Sequence, residues 1–257
     1  MSHANPVDTA TLLVNEAGNY RVLPGNAAYC TGILPDAGYE VVRVQLEAWL
    51  PVNEAYRFIE AHLQAAGRPV QAFCGIEMRQ PAPLTPDNWS AFNAPYLQQL
   101  RAWNLVHGDW SLVCRSNIAL AVHAPQTASV CAFSYVRPGS LAATSFCLSG
   151  QADIGPGGDI IAAGEVGPEA MHQRARYTID TLGASMAKLG LSWADARQVA
   201  IFHVHDIPAL WGPELLGAVG RTLRNGVIVY RARPPIAGGE VELEARGAGL
   251  DVVISTR

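Results

Sequence analysis

The sequence predicts a mixed α/β (α+β) chain of two tandem domains, each a mixed sheet with two helices on one face. Three observations carry this expectation. The order strands, helix, strand, helix, strand, strand can be read twice along the 257 residues. Apolar spacing switches between the strand period and the helical period at matching places in the two readings. The stretch from Val113 to Phe133, VCRSNIALAVHAPQTASVCAF, is also echoed from Gly226 to Glu244 by GVIVYRARPPIAGGEVELE. On that echo Val130 falls on Val241, Cys131 on Glu242 and Arg115 on Gly226. Pattern without identity is the mark of a divergent internal duplication. The break falls at Arg137-Pro138-Gly139-Ser140, a turn-forming linker, so the expected domains are residues 1–137 and 138–257.

In the first half, residues 1–18 have little pattern. Tyr20 to Ile33 reads as two short strands around Pro24-Gly25-Asn26. Tyr39 to Leu50 alternates, with Val42, Val44, Leu46 and Ala48 on one face and Arg43, Gln45 and Glu47 on a wet one. Val52, Ala55, Tyr56, Ile59, Leu63 and Ala66 recur at helical spacing, and Gly67 supplies the stop. Gln71 to Met78 is a strand. Trp89, Phe92, Tyr96, Leu100 and Trp103 form the stripe of a second helix, expected to pack as core. In the strand that follows, Ile118, Leu120 and Val122 share a face opposite Arg115, Asn117 and Ala119, and Val130 to Val136 completes the half.

The second half runs likewise. Thr144 to Ala152 reads as a strand ending in Ser149-Gly150-Gln151, and Gly155-Pro156-Gly157-Gly158 as a turn. Ala170 to Leu189 is a long helix closed by Gly190. Gln198 to Asp206 is a strand, and Leu210 to Leu223 a helix. Val227 to Arg231 and Glu240 to Ala245 close the chain as strands. The face of the sheet left uncovered by helices would carry Arg115, Asn117, Glu242 and Glu244, and must be buried by another copy of the sheet or stay wet.

Composition narrows the function. At 49% hydrophobic the chain can bury a large core. Charged residues are only 16%, the net charge is −4, and no basic block exists, which argues against nucleic acid. Apolar runs are strand-sized, so no membrane span is expected. The start, MSHANPVDTA, lacks a signal-peptide pattern, so a cytoplasmic location is expected. Five cysteines without CxxC spacing fit reduced, packed thiols. The glycine-rich turn lacks both GxGxxG and the Walker lysine, so no nucleotide cofactor is expected.

The segments SGQADI, LGLSWADARQVAIFHVHDI and GGEVELEARG in the second half resemble the RidA (YjgF) family of enamine and imine deaminases. FNAPY followed by CRSNIAL in the first half resembles it more faintly. The resemblance implies two chorismate mutase-like domains and subunits that pack as trimers. A homotrimer is therefore expected here, with a monomer as the alternative. It also implies a strand arginine that binds the substrate carboxylate, here Arg115, with a helix asparagine, Asn93. It further implies a closing-strand glutamate that handles water or a proton, here Glu242. Gly226 and Cys131 cannot play those parts, so each half departs from the pattern and the two together supply one full set. A tandem chain of this length is similar to the bacterial aminomuconate deaminases, and the longer chorismatases share the design.

The chemistry of the side chains agrees with that set. A guanidinium fork suits a planar carboxylate, and a buried unpaired arginine needs a partner. A structural ion pair would satisfy Arg115 equally well. Asn117 shares its face and Gln151 ends the neighbouring strand, so both are candidate substrate contacts. Glu242, with Glu244 as its substitute, would have a raised pKa in a dry cleft, as an acid or base requires. His203 and His205 are placed on one strand face. His205 is a candidate proton carrier, a satisfied structural histidine or half of a zinc site. No further ligand is placed, so no metal is expected. The expected function is hydrolytic release of ammonia from a small unsaturated 2-amino carboxylate such as 2-aminomuconate, without cofactor. A chorismatase-like reaction or a non-catalytic binding module remain the alternatives.

Overall fold

The computed structural model describes residues 12–139, 144–207, 216–220 and 226–256. In chain order the first half contains β1 (Leu13–Asn15), β2 (Tyr20–Leu23), β3 (Gly32–Pro35), β4 (Tyr39–Pro51), α1 (Val52–Ala65), β5 (Phe73–Gln80) and α2 (Pro86–Ala102). A small hairpin of β6 (Val106–His107) and β7 (Trp110–Ser111) precedes β8 (Cys114–Leu120) and β9 (Ser129–Pro138). The second half contains β10 (Cys147–Leu148), β11 (Gln151–Ala152), α3 (Pro168–Lys188), β12 (Gln198–His203), α4 (Leu216–Val219), β13 (Val227–Arg233), β14 (Val241–Arg246) and β15 (Leu250–Ile254).

The fold is mixed α+β. One nine-stranded sheet runs in the order β11-β14-β12-β13-β8-β5-β9-β4-β15, and a four-stranded sheet joins β1, β2, β3 and β10. The order reads as a palindrome about the β13–β8 seam. On one side β8 is parallel to β5, which is antiparallel to β9, which is antiparallel to β4. On the other, β13 is parallel to β12, which is antiparallel to β14, which is antiparallel to β11. The seam itself is short, with Ala232 opposite Leu120 and Arg233 opposite Ala119. The halves also exchange segments. β15 returns to lie parallel to β4, and β10 closes the small sheet against β3.

Helices cover one face on each side of the seam. Tyr56, Ile59 and Leu63 of α1 and Tyr96 and Leu100 of α2 pack on Ile76 and Met78 of β5 and on Val44 and Phe133. Met171, Ile179, Leu182 and Met186 of α3 pack on Val241, Leu243 and Ala245 of β14. The opposite face closes on itself. Three strands separate β14 from β5, which in a flat sheet is about 19 Å at the usual strand spacing. Yet Arg246 of β14 lies 2.8 Å from Glu77 of β5. The sheet therefore curls, and its concave face encloses Arg43, Glu77, Arg79, Glu244 and most of Arg246. Glu77 binds Arg43 at 2.5 Å as well, and Ser116 binds Glu244. The pull of three guanidiniums holds the Glu77 carboxyl far below its usual range despite burial.

Several expectations are corrected by this packing. Arg43 is not on a wet face, because the curl buries it against Glu77. Nor do Arg115 and Asn117 share a face with Glu242 and Glu244. Arg115 bonds to α2, whereas its neighbour Ser116 reaches Glu244 inside the curl. The concave face is buried within one chain rather than wet or waiting for a second copy. The segment 144–152 is two short strands in different sheets, because Ser149 and Gly150 bend away to bond Cys30, Thr31 and Arg115. Leu13–Asn15, in a stretch expected to have little pattern, forms the short strand β1, and β15 follows the last expected strand. Of the expected helix 210–223, only Leu216–Val219 and its neighbour at 220 lie within the described residues.

One internal ion pair pins the second half. Asp153, fully buried, accepts from Arg174 Nη1 at 2.5 Å and from the backbone of Glu240 at 3.0 Å and Val241 at 3.3 Å. Asp153→Ala strands a buried guanidinium and two amides. It should cost about 3–5 kcal/mol, read as a lower urea midpoint.

Candidate functional site

The strands on either side of the seam pair over only two residues, so β8 and β13 part at the start of β8. Ser149 and Gly150 fill that opening. The Ser149 hydroxyl accepts from the Arg115 amide at 2.9 Å and donates to the Cys30 carbonyl at 2.5 Å. The Gly150 amide donates to the Arg115 carbonyl at 3.1 Å. A Cβ at Gly150 would sit 2.2 Å from Glu242 Oε1, so a side chain there would displace the Glu242 carboxyl. The gap thus lets an arginine from the helix-covered face and a glutamate from the concave face reach one space.

That space is a cavity of about 410 Å³. Arg115, Asn117, Gln151 and Glu242 line it together with Tyr29 and Trp89. Asn93 stands behind it on α2 and accepts from Arg115 Nη1 at 2.7 Å. Five of the six residues expected from sequence are therefore assembled at one place. His205 is the exception. It does not line the cavity, and its Nε2 lies 2.9 Å from Glu240, which Arg233 also binds at 2.8 Å. The strand ends at His203, whose Nδ1 lies 2.5 Å from the His205 carbonyl. The two histidines therefore do not share a strand face.

Arg115 is only 4% exposed, yet no carboxylate among the described residues is within ion-pairing distance of it. Its guanidinium is held by Asn93 and boxed by rings, with Cζ 4.9 Å from the Trp89 centroid, 5.0 Å from Tyr96 and 5.2 Å from Tyr29. Such contacts stabilise a cation without neutralising it. Burial pushes the Arg115 pKa down. Two donors are left over, since Arg115 Nη2 and Asn117 Nδ2 are buried with no hydrogen-bond partner. A native fold tolerates such orphans where a ligand completes them.

Glu242 is the opposite pole. It is 3% exposed, and burial raises its carboxyl pKa well above the ordinary range, with the neighbouring Glu244 adding to the shift. The shift favours the protonated form, the direction a proton donor needs. Glu244 is bound to Ser116 and Arg246 and does not line the cavity, so it is not interchangeable with Glu242.

Sequence reasoning missed the aromatic box. Trp89 was expected in the core stripe of α2, but it lies over Arg115 and lines the cavity. Helical spacing shows that a residue shares a stripe, not that the stripe runs past the sheet edge onto a cavity. Tyr29 lies in a loop with no periodicity to flag it.

A cavity with an unneutralised guanidinium and a carboxyl whose pKa burial raises fits an acid–base enzyme acting on a small carboxylate. Comparison with known proteins sharpens this. Residues 12–252 match the family described as 2-aminomuconate deaminase CnbZ. A 2-amino-5-chloromuconate deaminase of Comamonas testosteroni is 34% identical over 250 residues, covering 94% of this chain and 98% of that protein. Among solved structures, a chorismatase aligns over 91% of this chain and 78% of its own, at 12% identity and a TM-score of 0.47. A protein of unknown function of the conserved Rid family, YyfB from Yersinia pestis, aligns over 44% and 83%, at 14% identity and a TM-score of 0.32. The chain is thus an enzyme of the deaminase class. It belongs to the 2-aminomuconate deaminase family.

The buried acid has a consequence for stability. A carboxyl whose pKa is raised by folding contributes its stability below the unfolded value, near 4.5, and loses it as pH rises toward the folded pKa. Glu242→Gln should therefore raise the urea midpoint over wild type at pH 7, and the advantage should close as pH is lowered to about 4.

Proposed function

We propose that the enzyme hydrolyses a small unsaturated 2-amino carboxylate of the 2-aminomuconate type, releasing ammonia. The observation that carries this reading is the pair of unsatisfied donors, Arg115 Nη2 and Asn117 Nδ2, on two side chains that line the cavity together with Glu242. A substrate carboxylate would complete both donors and neutralise the guanidinium. The aromatic rings would keep water from the ion pair and strengthen it.

In this mechanism the carboxylate docks on Arg115 and Asn117, with Asn93 holding the guanidinium in line and Gln151 bordering the reacting end. Protonated Glu242 donates its proton to the carbon adjacent to the amine-bearing carbon, which turns the enamine into an iminium. The resulting Glu242 carboxylate takes a proton from water as the oxygen bonds to that electrophilic carbon, giving a carbinolamine. Glu242 then returns this proton to nitrogen. Collapse of the carbinolamine breaks the C–N bond, frees ammonia and leaves a 2-oxo acid, and the hydroxyl proton restores Glu242. The balance is one water consumed per ammonia released, and the iminium carbon is electrophilic without a cofactor. His205, outside the cavity, has no part in it.

We read the palindromic sheet as two RidA-like units, about 1–137 and 138–257, fused so that one site survives between them. This agrees with a site whose arginine comes from β8 and whose acid comes from β14.

Arg115→Ala should raise KM for the amino-carboxylate on the order of 100-fold with the fold intact, since it removes charge-assisted hydrogen bonds. Glu242→Gln should leave KM nearly unchanged and lower kcat by about 10²- to 10⁴-fold. Ammonia release from 2-aminomuconate measures both. Near-normal turnover in either variant contradicts the assignment.

A further inference from the structure

The proposed carboxylate site depends on which end of the Asn117 side chain faces the cavity. An amide has a donor end and an acceptor end of nearly the same shape, and only the donor end favours an anion. Asn117 is 3% exposed, and its Oδ1 is already engaged by Gln80 Nε2 at 3.1 Å. Gln80 is itself 2% exposed and sits on β5, opposite Ala119 of β8. It does not line the cavity. With Oδ1 turned toward Gln80, the nitrogen is the end left over, and Asn117 Nδ2 is the atom without a partner. The inverse arrangement would turn a carbonyl oxygen to the substrate carboxylate beside Arg115, setting two acceptors against each other.

We infer that Gln80 is a positioning residue that fixes the Asn117 amide with its donor end toward the cavity, and thereby sets the affinity of the site for carboxylates. This inference rests on the carboxylate-binding reading above. Gln80 touches no substrate. It acts through Asn117 alone, so its effect falls on binding and vanishes when Asn117 is absent.

Gln80→Glu tests this directly. A carboxylate at position 80 accepts but cannot donate, so it attracts the Asn117 nitrogen and turns the oxygen to the cavity. Gln80→Met removes the donor without adding charge, and it carries the test if a buried carboxylate prevents folding. The probe is cis,cis-muconate, which has carboxylates but no amine to lose, with binding measured by titration calorimetry on the full chain. Kinetics with 2-aminomuconate give the split between KM and kcat, and circular dichroism confirms the fold.

The dissociation constant for muconate is expected to rise at least 10-fold in Gln80→Glu and at least threefold in Gln80→Met, with kcat held within about threefold, as for a lost hydrogen bond to a charge. In an Asn117→Ala background either change at position 80 should shift binding by less than twofold. Folded variants that bind within twofold of wild type would overturn the inference. So would an equal loss of binding in the Asn117→Ala background, which would mark a merely structural role. Arg115→Ala separates the two levels. If it abolishes muconate binding while the Gln80 variants do not weaken it, the carboxylate site stands and the role of Gln80 fails. If it leaves binding unchanged, both fall.

Discussion

A charge taken out of water must find an opposite charge or a full set of hydrogen bonds, and this constraint organises the whole chain. The concave face of the long sheet carries Arg43, Glu77, Arg79, Glu244 and Arg246. Arg246 and Glu77 lie on strands four places apart in the sheet order, so that pair forms only if the sheet curls. Glu77 is the centre of that arrangement, since Arg43, Arg79 and Arg246 all converge on it. Paired charges of this kind add little net stability compared with a well-packed apolar core, but removing one partner is costly. They thereby select one curvature over its neighbours.

Arg115 departs from the rule, and that departure is where the chemistry lies. It is as buried as the concave-face arginines, yet only an asparagine and three aromatic rings surround it. Glu242 departs in the opposite sense, a carboxyl buried beside a second carboxyl and pushed toward its neutral form. Both departures open on one cavity, because the two-pair seam lets residues from opposite faces of the sheet meet. Among the described residues these two buried charges share one cavity, and neither has an opposite charge within ion-pairing distance.

Much of this was legible in the residues. Alternation in β4 and β8, the helical spacing of α1, α2 and α3, and the glycine stops located the elements, because local periodicity reports which face a core covers. Arg115 and Glu242 stood out because an arginine and a glutamate in otherwise apolar strands demand an explanation, and Asn117 shares the Arg115 face, whereas Asn93 and Gln151 came only with the family resemblance; the structure brings all five to one cavity. What misled was the second face. Alternation showed that Arg43 points away from Val42 and Val44, but not whether water or another strand lies there. The same limit hid Trp89, whose stripe is half core and half cavity wall. His205 drew attention by its spacing from His203, but the strand ended before the spacing could matter.

The sequence by itself located most of the larger elements and the few polar side chains that an apolar strand does not need. Those follow from short-range rules, namely propensity, periodicity and the cost of a stray charge. Only the tertiary structure decided that the sheet is continuous across the seam, that it curls, and that the curl closes within one chain. It alone decided that, among the described residues, Arg115 goes without a carboxylate while Arg43 has two. The reason is physical: counter-ions and cavity walls come from residues distant along the chain, as with Arg246 and Glu77, and no local pattern encodes which distant partner a buried charge will meet.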